Sequence, residues 1–460
     1  MRDLMDDCRL IESARKVAIR LRSAGYVCYF AGGCVRDRLL EVPLHDVDIA
    51  TSAVPDEVLV LFPKGRAVGA HFGVVLVPCD DIYFDVATFR KDGDYKDGRR
   101  PESVHYSSPR EDAFRRDFTV NGMFEDPETG EIIDYVGGLE DLEKKLIRCI
   151  GHAEERFRED SLRLMRAVRL AVTKGFDIES STWDAIRDHA DWLGRIAPER
   201  IRDEFDKILL SPHRRRGVEM LVESGLIKWI IPEIMELVGC DQPPQWHPEG
   251  DVYIHTMMML DRLEDDGTEP SLELVLATLL HDIGKPASRF LDPEDDRIRF
   301  SGHEAVGRDM VSGILRRLHY PNSVVDAVSF MVGRHMQFIN VDKMRRGKVR
   351  QFMASPVFDD EMKLHRADCL CSNGDLGHYR FLEERRREIE NEPILPSPFV
   401  TGRDLIAMGM KCGPVFRTML DGLFLEQIEG RLKTREEALE AARQYWKSGK
   451  FPGTEGEPPV

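Results

Sequence analysis

Two aspartates, Asp46 and Asp48, follow a glycine pair at a spacing that suits phosphoryl-transfer chemistry. The glycines, Gly32 and Gly33, end one apolar run and precede a helix-like segment. Adjacent glycines let the backbone approach a ligand closely, and the N-terminus of the following helix presents free N–H groups to phosphates. Residues two apart on a strand share a face, so both carboxylates can reach the same pair of divalent ions. The pattern predicts a triphosphate site whose oxygen ligands favour Mg²⁺.

Two further residues fit this site. Arg36 lies in the first turn of the predicted helix, where its guanidinium can contact a triphosphate or a ribose. Asp85 lies in the strand-like run YFDVATF and can complete the carboxylate set. A lone D-x-D or a lone GG is not specific, but their order along the chain, with Arg36 between them, favours a catalytic site. We expect Asp46, Asp48 and Asp85 to be its acidic residues.

A second group of residues with metal-ligand character lies in the middle of the chain. His281 and Asp282 close the apolar run in ATLLHDIGKP, which predicts a buried helix with two adjacent ligands at its end. Imidazole and carboxylate ligands together suit Mn, Fe, Ni, Co or Zn ions. The remaining candidates around this pair are His255, Asp368, His303 and His335.

The elements that must position these residues change character near residue 150. Short β-like runs separated by Gly and Asp turns predict a small α/β head over residues 1–150. From residue 152 the periodicity is helical, and breaks rich in Pro and Gly at 239–251 and 393–401 divide this part. We therefore predict a helical neck (151–238), a body (239–392), a helical tail (393–450) and a disordered end (451–460).

Composition and charge restrict the class of protein. The chain has 460 residues, too many for one core, and its hydrophobic share of 42% is that of a globular protein. The net charge of −17 argues against a uniformly cationic nucleic-acid binder, so any RNA-binding surface must be local. No apolar run is long enough for a membrane span, and the scattered cysteines lack CxxC pairs. We expect reduced thiols, no membrane association, a cytoplasmic location and either a monomer or a homodimer.

Longer motifs around the head residues carry a resemblance to a known family. The motif GG-x-x-RD precedes D-x-D, and the segments TFRKDGDYKDGRRPESV, RRDFTVNGM and FREDSLRLMRAVRLA follow. This order resembles the class II tRNA nucleotidyltransferases and bacterial poly(A) polymerases of the polymerase-β-like superfamily. The resemblance implies an α+β fold, in which a nucleotidyltransferase head with a small mixed sheet and helices is followed by an elongated all-α neck, an HD-type body and a tail.

The resemblance also implies roles for single residues of the head. Asp46 and Asp48 match the aspartates that bind the catalytic Mg²⁺ ions. Gly33, Arg36 and Arg116 match residues that contact the nucleotide. Asp117 and Asn121 belong to the same motif as Arg116, and the resemblance implies that they recognise the ribose or brace the site.

The family selects CTP and ATP with side chains of an ED-x-x-R motif, which is Glu159, Asp160 and Arg163 in this chain. A carboxylate accepts from the exocyclic amino group that C and A share, while arginine donates to a ring nitrogen and a carbonyl. Asp160, Arg163, Arg166 and Arg169 recur every third residue and are predicted to form a stripe on one helix. The resemblance thus implies addition of CCA to tRNA 3′ ends from CTP and ATP.

Two alternatives within the family stay open: an A-adding enzyme that acts after a CC-adding partner, and a poly(A) polymerase. Tyr95 to Pro101 resembles the loop that the family needs for the final A, which argues against a CC-only enzyme. PKGRAVGAHFGVV replaces the GRRF-like segment typical of bacterial poly(A) polymerases. Val120 and Gly122 depart from the family's usual residues, Ile or Met and Ala, and both changes are expected to be tolerated.

The middle group resembles an HD domain, whose metal ligands are a His, the HD pair and a distant Asp. It implies His255, His281, Asp282 and Asp368 as ligands of a transition metal such as Ni²⁺, Co²⁺ or Mn²⁺. His303 and His335 are then candidates for a second metal or a phosphate. Some family members use this domain as a phosphohydrolase, so we expect such a side activity.

One alternative belongs to another class of protein, namely an HD phosphohydrolase whose head only binds RNA. The intact D-x-D and ED-x-x-R motifs argue against it. At the other end of the chain, Gly413 and Pro414 open a helix that resembles the tRNA-contacting tail of the family.

Overall fold

The computed structural model describes residues 2–68, 73–92, 104–245, 247–264, 267–295, 297–389, 393–411 and 413–448. The predicted loop Tyr95 to Pro101 and the predicted disordered end, 451–460, lie outside the described residues. The chain divides into two compact units. The first comprises Met1–Glu236 and Ile314–Tyr320, and the second Leu237–Gly313 and Pro321–Val460. The finer division into head, neck, body and tail stays a prediction.

One mixed sheet organises the first 150 residues, and seven strands form it within the described ranges, in the order β3-β4-β5-β2-β1-β8-β9. The sheet strands are β1 (Cys28–Ala31), β2 (Asp48–Thr51), β3 (Arg66–Ala67), β4 (Val74–Cys79), β5 (Ile82–Thr88), β8 (Phe124–Glu125) and β9 (Ile132–Ile133). Strands β2 and β5 run parallel, and the other neighbouring strands run antiparallel. A separate hairpin pairs β6 (Arg90–Asp92) with β7 (Val104–Tyr106).

Helices cover this sheet because each has one apolar face. On the longest, Ala14, Val17, Ala18 and Leu21 recur at helical spacing and are buried. The helices are α1 (Arg2–Ser23), α2 (Gly33–Leu39), α3 (Pro55–Leu61), α4 (Pro109–Phe114) and α5 (Gly138–Glu143), with a 3₁₀ helix at Thr119–Asn121.

The register of the sheet brings the predicted catalytic residues together. Strands β1 and β2 pair Ala31 with Asp48, so the glycine turn that follows Ala31 lies beside this aspartate. The parallel pair β2 and β5 aligns Ile49 with Val86, which makes Asp48 and Asp85 lateral neighbours on one face.

The rest of the first unit is helical and packs around α7. The helices are α6 (Ala153–Glu159), α7 (Arg163–Lys174), α8 (Ser180–Asp188), α9 (Pro198–Leu209) and α10 (Arg214–Glu223), with 3₁₀ helices at Ala190–Arg195, Leu226–Trp229 and Pro232–Glu236. The prediction of helix alone beyond residue 152 is wrong at β11 (Asp177–Ile178), which pairs in parallel with β10 (Leu146–Ile147). Leu164, Val168 and Ala171 on the inner face of α7 are fully buried.

The second unit is built from helices and one hairpin. The helices are α11 (Val252–Asp261), α12 (Leu272–Leu280), α13 (Lys285–Ser288), α14 (His303–Arg317), α15 (Asn322–Arg334), α16 (Arg346–Met353), α17 (Phe358–Cys371), α18 (Gly377–Glu388), α19 (Gly402–Ala407), α20 (Pro414–Ile428) and α21 (Arg435–Ser448), and a 3₁₀ helix spans His335–Lys343. The hairpin joins β12 (Phe290–Asp292) to β13 (Arg297–Arg299), a second exception to the predicted helix.

The apolar helix α12 is buried from Leu274 to Leu280 and lies at the centre of this unit. A mixed-sheet head followed by a helical remainder confirms the predicted α+β fold. Among the described helices, none combines the length and the apolar character that crossing a bilayer requires.

Candidate active site and candidate metal centre

The glycine turn is positioned by its unusual backbone. Gly32 has φ 79° and ψ −134°, a conformation that only glycine adopts without strain. A Cβ atom at this position would lie 2.8 Å from Arg116 Nη1 and 3.6 Å from Asp48 Oδ2. The turn thus brings bare backbone against an arginine and an aspartate, and α2 starts directly after it at Gly33.

Three carboxylates lie next to this turn. Partial removal of Asp48 from water, together with Asp46 and Asp85, raises the pKa of Asp48 to about 6, although Arg116 opposes the shift. Burial and Asp46 likewise raise the pKa of Asp85. Uncompensated, mutually repelling carboxylates with hard oxygen donors fit a divalent cation such as Mg²⁺.

The structure corrects one detail of these carboxylates. Strand β2 begins at Asp48, so Asp46 lies in the irregular segment before the strand instead of on its face. Within the described residues, the oxygens of Asp46, Asp48 and Asp85 are not gathered as a set within 4.8 Å of one another.

A buried network holds the arginines of the head. Arg36 is 6% exposed and donates to the Asn121 side-chain oxygen, and Asn121 Nδ2 donates to Asp117 Oδ1 over 3.1 Å. Arg166 Nη2 lies 2.6 Å from Asp117 Oδ2. Burial alone would raise the pKa of Asp117, but Arg166 and Arg163 lower it to about 2. Asp117 and Asn121 thus connect Arg36 with Arg166, and their role, to recognise the ribose or to brace the site, stays a prediction.

The head residues surround an open cavity of 900 Å³. Basic side chains outnumber acidic ones along its wall, which gives a local positive surface on a chain of net charge −17. Sequence reasoning missed Lys174 and Lys207, since each stands in an ordinary amphipathic helix. The predicted residues that line it are Gly33, Arg36, Asp46, Asp48, Asp85, Arg116, Asp117, Asn121, Arg163, Arg166 and Arg169.

The ED-x-x-R residues lie at a break between helices, so the predicted stripe on one helix is wrong at Asp160. Asp160 has extended backbone, and its carboxylate accepts from Leu162 N over 3.1 Å, which competes with helix continuation. Arg200 Nη2 lies 3.1 Å from Asp160 Oδ2, and Arg163 Nη1 lies 2.7 Å from Glu159 Oε2. Arg163 lines the 900 Å³ cavity, whereas Glu159 and Asp160 are not among its lining residues.

The second unit gathers all six predicted metal-site residues. They form two sets of three, each with ligand atoms within 4.8 Å of one another. His255, His281 and Asp368 form the first set, and Asp282, His303 and His335 form the second. The Nε2 atoms of His255 and His281 are buried and face carboxylates, with 3.2 Å from His255 Nε2 to Asp368 Oδ1 and 3.0 Å from His281 Nε2 to Asp282 Oδ2. Two sets of imidazole and carboxylate donors, all buried except the half-buried Asp368, fit transition-metal ions.

Charges around these ligands are strongly coupled. Burial lowers the pKa of His255, but Asp368 and Glu249 outweigh it and raise the pKa to about 9. Burial lowers the pKa of His335 to about 4. Burial would raise the pKa of Asp282, but His281 and Lys285 hold it well below the usual range.

Two residues of this site were missed from the sequence. Lys285 is 6% exposed and its Nζ lies 2.7 Å from Asp282 Oδ2; its i,i+3 spacing from Asp282 was an available signal. Glu249 Oε1 accepts from Nδ1 of His255 over 2.7 Å and from Nδ1 of His247 over 2.9 Å. His247 and Glu249 lie in the segment rich in Pro and Gly, which the sequence pattern indicates only as a boundary between domains.

One glycine sets the contact between the helices of this site. A Cβ atom on Gly284 would lie 2.3 Å from the His303 carbonyl oxygen and 2.6 Å from Gly307 N. The chain after α12 and the helix α14 therefore touch backbone to backbone, which brings His303 beside Asp282, with 3.3 Å between Nε2 and Oδ1.

The sheet, the glycine turn and the carboxylates are those of the nucleotidyltransferase class, here joined to a helical unit with an HD-type ligand set. Three family models match in this order: "Poly A polymerase head domain" over residues 28–148, "Probable RNA and SrmB- binding site of polymerase A" over 175–237, and "HD domain" over 251–371. The chain belongs to the family of class II tRNA nucleotidyltransferases and poly(A) polymerases, in its HD-containing form.

Curated relatives match the chain in part. A CCA-adding enzyme of Streptococcus pyogenes serotype M3 is 46% identical over 212 residues, which are 46% of this chain and 52% of the relative. The chain therefore spans about half the length of the curated relatives it matches.

Solved structures match over most of their length. The CCA-adding enzyme of Bacillus stearothermophilus in complex with CTP is 27% identical, with a TM-score of 0.72, over 95% of this chain and 99% of that one. The Thermotoga maritima CCA-adding enzyme complexed with tRNA is 18% identical, with a TM-score of 0.59 over 94% of each chain, and shows a shared fold.

The Gly32→Ala substitution is expected to lower nucleotidyl transfer at least about 100-fold, the scale of an ångström-sized displacement in a catalytic site. The new methyl group would press on Arg116, and the backbone would be strained as well. The effect is measured as the rate of nucleotide addition, the reaction for which the matching CCA-adding enzymes are named. Gly130→Ala is a matched control, because Gly130 also has positive φ, 73°, but nothing lies within 4 Å of its added Cβ. Equal rates in both variants would contradict the role of the turn.

Proposed function

We propose that the chain is a CCA-adding tRNA nucleotidyltransferase that uses CTP and ATP without a nucleic-acid template. The observation that carries the proposal is the 900 Å³ cavity, in which the Gly32 turn, the carboxylates and a wall of arginines meet. The structural relative with CTP, which shares 27% identity over nearly its whole length, supports the same nucleotide for this cavity. Matching CCA-adding enzymes, and one of them complexed with tRNA, support tRNA as the acceptor.

The reaction transfers a nucleotidyl group to the terminal hydroxyl of the tRNA. The 3′ oxygen bonds to the α-phosphorus of CTP or ATP, the bond to the bridging oxygen breaks, and pyrophosphate leaves as the hydroxyl loses its proton. Two Mg²⁺ ions, when bound, lower the pKa of the 3′-hydroxyl and neutralise negative charge on the leaving pyrophosphate. Asp46 and Asp48 hold them, and Asp85, beside Asp48 on the sheet, faces the same point.

Arginines of the cavity bind the triphosphate. Arg36 is held by Asn121 near the N-terminus of α2, whose free N–H groups favour anions. Arg116 is held by Asp112, with Nη2 3.1 Å from Oδ2, next to the bare backbone of Gly32. Each guanidinium is thus pre-oriented before a nucleotide enters, and little side-chain entropy is lost on binding.

Glu159, Asp160 and Arg163 select the base. Arg163 lines the cavity and is oriented by Glu159 and by donation to the Arg115 carbonyl oxygen over 3.1 Å. Asp160 is paired with Arg200, which must release or share it when Asp160 accepts from the amino group of cytosine or adenine. Arg166 and Arg169 extend the basic wall from the same helix toward the triphosphate and ribose.

Extension of two tRNA substrates tests the proposal against its alternatives within the family. We expect the purified chain to add CCA to tRNA that ends at the discriminator base, and A alone to tRNA that ends in CC. CTP and ATP supplied separately should give CC and no addition, respectively, on the first substrate. Addition restricted to the CC-ending tRNA would instead identify an A-adding enzyme, and long A tracts would identify a poly(A) polymerase. Because the acceptor and both nucleotides are cytoplasmic, we place the reaction in the cytoplasm.

A second activity is favoured by the two buried ligand sets of the second unit. We propose that this unit is a phosphohydrolase that depends on a transition metal such as Ni²⁺, Co²⁺ or Mn²⁺. His255, His281 and Asp368 hold one ion, and Asp282, His303 and His335 hold the other. Lys285 lies against Asp282, where its ammonium also adds positive charge for a phosphoester. A 2′,3′-cyclic nucleotide and a model phosphodiester are the substrates to assay.

A further inference from the structure

Four histidines of the second unit are metal ligands in the proposed function, and each has its Nδ1 atom held by an acceptor. A backbone carbonyl three residues earlier accepts from His281 over 2.9 Å, from His303 over 2.8 Å and from His335 over 2.7 Å. A carbonyl oxygen can only accept, so each Nδ1 carries a proton, and the neutral form of each ring has its lone pair at Nε2. The backbone thus fixes three of the four tautomers.

His255 cannot use this arrangement. His281 and His335 directly follow α12 and α15, whose last carbonyl groups lack helical partners, and the Phe300 carbonyl behind His303 lies outside α14, whereas His255 lies inside the first turns of α11. The Val252 carbonyl, three residues before His255, already accepts from the Thr256 hydroxyl over 2.8 Å. Nδ1 of His255 is instead held by a side chain.

Glu249 takes that place. Its Oε1 accepts from His255 Nδ1 over 2.7 Å, its side chain is 5% exposed and His255 is fully buried. His247 Nδ1 lies 2.9 Å from the same oxygen and helps to fix the carboxylate. With Nδ1 so held, Nε2 of His255 points at the first ligand set, 3.2 Å from Asp368 Oδ1.

We infer that Glu249 is a positioning residue for the metal ion held by His255, His281 and Asp368. It fixes the Nδ1-protonated tautomer of His255, and its negative charge makes Nε2 a stronger electron-pair donor to the metal ion. The neutral carbonyl groups that hold the other three histidines have a weaker effect of this kind. The inference rests on the proposed phosphohydrolase site. Carboxylates behind a ligating histidine commonly raise metal affinity about 10- to 100-fold.

Co²⁺ titration of the full chain tests the inference. Excess Mg²⁺ occupies the carboxylates of the head, and the d–d absorption of Co²⁺ bound by imidazole reports the second unit. Glu249→Ala is expected to weaken Co²⁺ binding by about 10- to 100-fold, and Glu249→Gln, which keeps an acceptor but not the charge, by a smaller factor. Nitrogen NMR of the Zn²⁺-loaded protein should show the His255 proton on Nδ1 in the wild type and disturbed in Glu249→Ala.

Glu304→Gln is the matched control. Glu304 Oε2 lies 3.7 Å from Nδ1 of His303, but the Phe300 carbonyl already holds that nitrogen, so Co²⁺ affinity should stay at the wild-type value. Should Glu249→Ala fail to fold, Glu249→Gln and the NMR measurement decide. Wild-type affinity in the folded Glu249 variants would overturn this inference alone. A wild-type chain without imidazole-bound Co²⁺ would overturn the proposed metal site as well.

Discussion

Asp48→Asn is expected to reduce the addition of both C and A by at least about a thousandfold. The substitution removes one of the two proposed ligands of the catalytic ions, which stabilise several kcal/mol of charge in the transition state, and each 1.4 kcal/mol corresponds to about a factor of ten. The loss should affect kcat for CTP and ATP alike, because Asp48 lies beside the phosphate turn at Gly32 and not beside the base-selecting residues. Single-turnover extension of tRNA measures it.

Asp56→Asn is the control for this prediction. Asp56 is an exposed acid in the first turn of α3 and does not line the cavity, so the same change of charge there should leave addition close to the wild-type rate. An Asp48→Asn chain that still adds CCA at a comparable rate would contradict the assignment of the site.

Asp282→Asn is expected to abolish metal-dependent hydrolysis of phosphodiesters and to lower the intensity of the imidazole-bound Co²⁺ spectrum, because the second of the two ligand sets is lost. Asp282 has three close partners: His281 Nε2 at 3.0 Å, His303 Nε2 at 3.3 Å and Lys285 Nζ at 2.7 Å. Its removal takes a ligand from the second set and leaves the buried ammonium of Lys285 with the neutral Gln242 side chain but without its carboxylate partner, and loss of the opposite charge costs about 3–5 kcal/mol in comparable buried pairs. We therefore also expect a lower midpoint of thermal unfolding.

Asp326→Asn separates the loss of a ligand from a general effect of charge. Asp326 is exposed on α15, and its substitution should leave both the Co²⁺ spectrum and the unfolding midpoint unchanged. Wild-type hydrolysis in the Asp282→Asn chain would contradict the proposed metal site, while CCA addition by the same preparation reports whether the first unit is folded.

Local patterns in the sequence predict much of the head. The end of β1 at Ala31 and the helix after Gly33 depend on neighbours in the chain, so an apolar run and the glycines suffice to place them, whereas the predicted second strand wrongly included Asp46. The parallel pairing of β2 with β5 joins residues far apart in sequence, so no local sequence pattern predicts this pairing. Asp85 is therefore a candidate by its residue type and its strand-like run, and the sheet register is what places it beside Asp48.

The errors have physical reasons that are equally specific. Three-residue spacing predicted a single helix through Asp160, but this side chain bonds to Leu162 N and ends α6, so helix α7 starts afresh at Arg163. Gly122 stands where the family usually has alanine, and the structure leaves no space for that methyl group, since an added Cβ would lie 2.6 Å from Val136 Cγ2. Close packing of this kind cannot be seen in the sequence of the loop itself.

The contact at Gly284 has a consequence for the two ligand sets. Side chains in a core can change rotamer to absorb a substitution nearby, but two main chains in direct contact have no such freedom. The peptide groups at this contact thus set the spacing between Asp282 and His303. Substitutions of the surrounding apolar side chains do not change this spacing. Two metal ions bound across this contact would therefore keep the same distance between them when other residues of the unit are substituted.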